Sequence, residues 1–214
     1  MRVLVACETS GRVREAFRAR GHDAWSCDLL PADDGSPFHW KGDVLTLLDQ
    51  CRSDPEFWPP FDLMVAHPPC TYLAASGLHW NRRRPGRAAQ TAAALDFVRE
   101  LMRAPVRAWA IENPVGAIST AICKPDQIIH PWQFGDDASK ATCLWLKGLP
   151  LLRPTNVLPG GRKARRANQT ASGQNRLPPS PDRWKLRSVT YPGIAAAMAD
   201  QWGAALAGRE GVAA

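Results

Sequence analysis

Three features of the sequence predict an α/β fold with a mainly parallel, doubly wound sheet. Short apolar strand-like runs alternate with helical periodicity, Pro or Gly ends each run, and polar residues gather just beyond the stops. The first run, Arg2 to Cys7, leads into the turn-like Glu8-Thr9-Ser10-Gly11, after which Val13, Ala16 and Phe17 fall at helical spacing. That helix stops at Gly21, and Ala24 to Asp28 predicts a second strand ending in an acid. Gly42-Asp43 marks the start of a helix carrying Val44, Leu45, Leu47 and Leu48. Phe61 to Ala66 predicts a further strand, closed by His67-Pro68-Pro69 because proline lacks the N–H that a central strand needs. Ala88 to Met102 predicts a helix with Leu95, Val98, Leu101 and Met102 on one side; Pro105 ends it before a strand from Val106 to Ile111 that runs into Glu112-Asn113-Pro114.

Beyond this point the pattern changes. Ile128 to Phe134 and Thr142 to Leu146 predict two strands joined as a hairpin at Gly135-Asp136-Asp137. From Lys147 to Arg187 Pro, Gly, Asn, Ser and Arg dominate, which predicts an irregular segment with no core of its own. Gly193 to Leu206 predicts a closing helix with Ile194, Met198 and Trp202 along one face. Three units follow: a core over 1–147, a basic loop-rich segment over 148–187, and a returning helix over 188–214. No internal repeat is present.

At 214 residues the chain suits a single domain, and 45% apolar with 22% charged residues excludes wholesale disorder and fibrous repetition. No run reaches the roughly 18–20 apolar residues of a membrane span, and the apolar part of the N-terminus is short for a signal peptide, so a monomeric, cytoplasmic chain is expected. Lys and Arg outnumber Asp and Glu by 27 to 20, a net charge of +7, the sign of a protein that meets a polyanion. The excess is concentrated in Arg82-Arg83-Arg84 with Arg87, and in Arg162, Lys163, Arg165, Arg166 and Arg176. A nucleic acid is the expected partner, with solvated loops as the alternative reading of the same clusters. The six cysteines are far apart, without a C-x-x-C pair, so reduced thiols are expected and no metal site. The H-x-E and P-C-x-x-C motifs of zinc nucleobase deaminases are absent.

Two residues stand where chemistry is expected. Cys70 follows two prolines on a stiff loop, which suits a nucleophile aimed at one atom. Glu112-Asn113 closes a strand buried on both faces, where a carboxylate is costly unless paired or facing a cleft. A carboxylate beside a thiol suggests acid catalysis. A loop cysteine without a role, and a Glu112 that caps the following helix, are the alternatives.

Pro68-Pro69-Cys70 and Glu112-Asn113, in that order, resemble the two most specific motifs of the S-adenosylmethionine-dependent DNA cytosine-5 methyltransferases, particularly the short versions encoded by bacteriophages. The resemblance implies a Rossmann-like methyltransferase sheet. It also implies that Cys70 adds to carbon 6 of a flipped cytosine while Glu112 hydrogen-bonds or protonates ring nitrogen 3, with Asn113 beside it. The S-adenosylmethionine site it implies comprises Cys7, Glu8, Thr9, Ser10 and Gly11 in the first loop, Asp28 with Leu29 at the ribose, Asp43 with Val44 at the adenine, and Pro68. Gly193, within Thr190-Tyr191-Pro192-Gly193-Ile194, would return to line that pocket. The sequence departs from the family in a glycine-poor first loop, in His67 and Thr71 flanking Pro-Pro-Cys, and in the Gln-x-Arg-x-Arg motif, for which Lys140 is the nearest substitute. Only the segment from about 148 to 187 remains to read DNA, which implies a short or relaxed target such as a dinucleotide. Amino methylation is disfavoured because His67 replaces the acid or amide before Pro-Pro. A catalytically silent DNA-binding module and a carbon-5 transferase acting on free pyrimidine nucleotides are the alternatives.

Overall fold

The computed structural model describes residues 1–210. Five parallel strands form the body of one sheet: β1 (Arg2–Ala6), β2 (Asp23–Asp28), β3 (His39–Lys41), β4 (Leu63–Ala66) and β5 (Ala108–Pro114). Two short strands, β6 (Gln127–Ile129) and β7 (Thr142–Lys147), complete the order β3-β2-β1-β4-β5-β7-β6, with β7 antiparallel to both neighbours. The order reverses between β1 and β4, so their carboxyl ends diverge into a crevice, where ligands bind in open α/β sheets. The doubly wound α/β class expected from the sequence is the class observed.

Alternation along the strands builds two cores. Leu4, Ala6, Met64, Ala66, Trp109 and Ile111 face α2 (Val44–Ser53) and α4 (Arg87–Met102). Their neighbours Val3, Val5, Leu63, Val65, Ala108 and Ala110 face α1 (Arg12–Arg18) and the closing helix Pro192–Glu210. On that closing helix Ile194, Met198 and Trp202 are fully or almost fully buried. Burial of a side chain such as Ile194 or Met198 contributes about 1.5–3 kcal/mol, so the apolar stripe seats the helix on the sheet. Asp43 starts α2 by accepting a hydrogen bond from Leu45 N at 2.8 Å.

Several expectations are corrected. The strand expected over Val106 to Ile111 starts at Ala108 and continues through Pro114, so Glu112 and Asn113 lie inside β5, paired with Leu144 and Cys143 of β7. Glu112 therefore does not cap a helix. The expected hairpin is not a tight one: β6 ends at Ile129 because Pro131 starts a 3-10 turn over Pro131–Gln133, and an irregular stretch then leads to β7. Three short helices were not expected: α3 (Ala75–Leu78), α5 (Ile118–Ala121) and α6 (Arg183–Ser188), the last inside the stretch read as irregular. The closing helix, α7 (Pro192–Glu210), is longer than predicted.

Candidate active site

The first loop is built by capping. Glu8 is buried, and its Oε1 accepts from Val13 N at 2.8 Å and Ser10 Oγ at 3.2 Å, while Oε2 accepts from Arg14 N at 3.3 Å. A carboxylate held this way satisfies the free N–H groups of α1 and complements its dipole, so Glu8 shapes the loop and has little left for a ligand. Thr9 Oγ1 donates to Asp33 at 3.1 Å. Gly11 has φ +67°, and a Cβ there would meet the Arg14 guanidinium at 2.3 Å, so only glycine fits. Cys7 is the one described non-glycine residue at positive φ (59°), held there as its N–H donates to Cys27 O at 2.7 Å. Burial, reinforced by the charges of Asp28 and Asp43 and by Cys27, pushes the Cys7 thiol far up, so it stays protonated. The same interactions place Asp28 and Asp43 around the end of β1. Asp28 Oδ1 accepts from Leu30 N at 2.9 Å, and Leu29 beside it is 70% exposed. Val44, the first residue of α2, is buried in the core.

The second cluster lies at the ends of β4 and β5. His67 continues the ladder, its N–H donating to Ala6 O at 2.9 Å, and Pro68 is buried. Asn113 Nδ2 donates to Pro68 O at 2.7 Å, which ties the proline loop to β5. Cys70 is exposed and begins a 3-10 turn over Cys70–Tyr72. Of the other cysteines only Cys123 is exposed, and its carbonyl accepts from Trp145 Nε1 of β7 at 2.8 Å. Beyond the turn the chain is zipped to the segment after β5: Ala117 N donates to Leu73 O at 2.8 Å, Ala75 N to Val115 O at 3.0 Å, and Ala74 bridges Gly116.

Glu112 is buried and meets His67 Nδ1 at 3.2 Å through Oε2. Burial alone would push its carboxyl up, but Lys140, His67 and Thr142 together outweigh burial and bring it below the usual range. At neutral pH Glu112 is ionised. Cys70 runs the other way: the residue is exposed, yet neighbouring atoms shield its sulfur from part of the solvent, and this desolvation and then the charge of Glu112 push its thiol up, against the smaller opposing pull of Lys140, a backbone hydrogen bond and Arg187. Cys70, Glu112 and Lys140 thus share one electrostatic environment, and Lys140 Nζ also donates to Arg187 O at 3.2 Å. A carboxyl depressed in the fold lends stability above its ordinary range, and that stability is lost as pH falls through the folded value. Lys140→Met moves the carboxyl upward, so thermal melts between pH 3 and 6 should show the loss beginning at higher pH than in the parent.

Among the basic residues, Arg82, Arg83 and Arg84 are exposed, with the Arg84 guanidinium 4.2 Å over the Trp80 ring. Arg162, Lys163, Arg165 and Arg176 are exposed along the irregular segment. Arg166 differs. It is buried, with Nη2 donating to Pro159 O at 3.1 Å and Gly161 O at 2.8 Å, and with Asp137 at 3.7 Å. It holds the segment together, and a phosphate cannot reach it without breaking those bonds. Arg166→Ala should cost about 2–4 kcal/mol in stability, read as a fall in melting temperature. Alanine at Arg82, Arg83 and Arg84 together should leave the melting temperature nearly unchanged, because all three side chains are exposed.

One buried side chain carried no sequence signal, and Gly193, expected at the cofactor pocket, has structural contacts of its own. Arg14 is fully buried, with Nη1 donating to Ser26 Oγ at 2.7 Å and Nη2 paired with Asp34, though its place on α1 gives no hint of burial. Gly193 packs against the turn after β6: its N–H donates to Asp136 Oδ2 at 2.9 Å, and a Cβ would lie 1.9 Å from Phe134 O. Among the described residues no helix is long and apolar enough to cross a membrane, and no cluster of metal-ligating side chains occurs.

No family model matches the sequence, and no curated protein matches it. Among solved structures, one similar chain is an E. coli protein named as a candidate DNA modification methyltransferase encoded within a prophage, 15% identical with a TM-score of 0.48. The match covers 75% of this chain and 53% of that one, so the chain spans about half the length of the protein it matches.

Proposed function

We propose that the protein transfers a methyl group from S-adenosylmethionine to carbon 5 of cytosine in DNA, through a covalent adduct of Cys70 with carbon 6 of a flipped base. The observation that carries this reading is the meeting of Cys70, Glu112 and Lys140 in one electrostatic environment at the strand ends, with Asn113 fixing the proline loop. The S-adenosylmethionine site fits the donor chemistry around β1 and β2. Asp28 ends β2 with Oδ1 accepting from Leu30 N, the exposed Leu29 offers an apolar face, and Asp43 lies near enough to Cys7 for its charge to push that thiol up. Bound there, the cofactor supplies an electrophilic methyl group.

The rest of the chemistry belongs to the chain. At rest the arrangement favours a Cys70 thiol and a Glu112 carboxylate. Placing a proton on Glu112 removes the charge that opposes a Cys70 thiolate, so arming the acid and arming the nucleophile reinforce each other. Cys70 gives its proton to solvent, and the thiolate forms a bond to carbon 6; electrons shift through carbon 5 and carbon 4 onto nitrogen 3, which takes the proton from Glu112. Carbon 5 is then nucleophilic. After methylation, solvent water takes the carbon 5 proton as the ring double bond re-forms, the Cys70–carbon 6 bond breaks with its electron pair returning to sulfur, and nitrogen 3 returns its proton to Glu112. Lys140 steadies whichever anion is present. The exposed arginines hold phosphates and position the duplex, with little capacity to read bases.

Nucleoside mass spectrometry of duplex DNA incubated with the protein and S-adenosylmethionine tests this reading. New 5-methyldeoxycytidine is expected, in a short or relaxed context. Modification of dCMP but not DNA would assign the protein to free nucleotides, and DNA binding without any product would make it a silent module.

A further inference from the structure

The residue before Pro68-Pro69-Cys70 is a histidine placed against the carboxylate. His67 Nδ1 stands 3.2 Å from Glu112 Oε2, its side chain is 9% exposed, and Nε2 is buried with no hydrogen-bond partner among the described residues. Both partners are fixed from outside. The His67 N–H is anchored on Ala6 O of β1, and Glu112 sits mid-ladder in β5 opposite Leu144. The contact joins residues 45 apart in sequence and exists only because β4 and β5 are parallel neighbours.

The mechanism above leaves one need unmet. Glu112 must give a proton to nitrogen 3, yet Lys140, His67 and Thr142 hold it ionised. Burial makes direct protonation of this carboxylate from solvent slow, and slowest where protons are scarce at alkaline pH. The groups facing Glu112 are Lys140, Thr142, Cys70, Cys143 and His67. Thr142 does not release a proton near neutral pH, and Lys140 Nζ is already engaged with Arg187 O at 3.2 Å. The two thiols are pushed up by burial and by Glu112 itself. An imidazole is the side-chain type suited to passing protons near neutral pH.

We propose that His67 is the proton donor to Glu112, a positioning and relay residue that makes the buried carboxylate an acid when cytosine enters. This rests on the carbon-5 reading above. The step balances: the imidazolium Nδ1–H bond breaks and an Oε2–H bond forms on Glu112, leaving neutral His67 and a neutral carboxyl. Glu112 then passes that proton to nitrogen 3 as the Cys70–carbon 6 bond forms. When nitrogen 3 returns the proton, Glu112 gives it back to Nδ1, so no net proton is consumed at the pair.

The test is exchange of the carbon 5 hydrogen of cytosine for solvent deuterium in duplex DNA without cofactor, followed by mass spectrometry. That exchange needs the Cys70 adduct and the nitrogen 3 proton but no methyl transfer. His67→Gln keeps an N–H donor toward Glu112 and cannot relay a proton. Exchange by the variant should be about ten- to a hundredfold slower at pH 8, with the gap closing toward pH 6 as solvent protonates Glu112 directly. The alkaline limb of its profile therefore moves to lower pH, which a merely structural role would not produce. Melting curves establish that the variant is folded; if it is not, His67→Asn is compared instead. Equal rates and superimposable pH profiles in a folded variant would overturn the relay while leaving the carbon-5 reading intact. Absence of both exchange and methylation in the parent protein would overturn the carbon-5 reading, and the relay with it.

Discussion

Glu112→Gln should lower single-turnover methyl transfer by about 10²–10⁴-fold, the range over which a positioned general acid acts, with the fold retained. Glutamine fills the same volume in β5 and still offers an oxygen to the groups around it, so packing between Leu144 and the proline loop survives. What disappears is the proton for nitrogen 3. The substitution also separates chemistry from stability. Glu112 is held below the ordinary carboxyl range, so its contribution to stability is present above that range and lost as pH falls. Removing the charge should flatten the acid side of the melting profile. A variant with parental activity would remove Glu112 from the mechanism.

Gly116→Ala should be the most damaging single methyl group near the site. A Cβ there would lie 1.9 Å from Leu73 O and 3.0 Å from Ala74 Cα, in the backbone that zips the Cys70 loop to the segment after β5. Backbone on both sides leaves no flexible side chain to yield. The expected cost is about 1–3 kcal/mol, with roughly 2–4 °C of melting temperature per kcal/mol. Activity should fall further than stability, because a displacement of about 1 Å between Cys70 and Glu112 can cost about a hundredfold in rate. Gly208 provides the contrast. It lies on α7 with open space where a Cβ would stand, and Gly208→Ala should stabilise the protein by about 0.4–1 kcal/mol without changing its activity.

The sheet was legible because its central strands are apolar runs closed by breakers. Val3–Ala6 and Leu63–Ala66 announce themselves, and Pro68 and Gly11 mark where each chain must turn. The edge strand β3 was not legible: His39-Trp40-Lys41 is three residues long and half exposed, so it carries no alternation to read. That β5 reaches Glu112-Asn113 was legible, but not that Pro114 pairs with Thr142 at the last rung, because proline argues against a central strand. The candidate site followed the same division. Cys70, Glu112 and Asn113 were visible as residue types at strand ends, and Lys140 was visible only through its position before β7. The use of Glu8 as a cap, the burial of Arg14 and Arg166, and the contact of His67 with Glu112 depend on partners far along the chain. No local pattern encodes them.

The central claim is covalent catalysis by Cys70. Its most direct measurement is the intact mass of the protein after incubation with S-adenosylmethionine and a duplex oligonucleotide carrying 5-fluorodeoxycytidine. Fluorine at carbon 5 cannot leave as a proton, so the adduct cannot resolve. The account predicts a species heavier by the oligonucleotide strand and one methyl group, mapped to Cys70 and absent in Cys70→Ala. Methylated ordinary DNA with no trapped species, or activity that survives in Cys70→Ala, would contradict it.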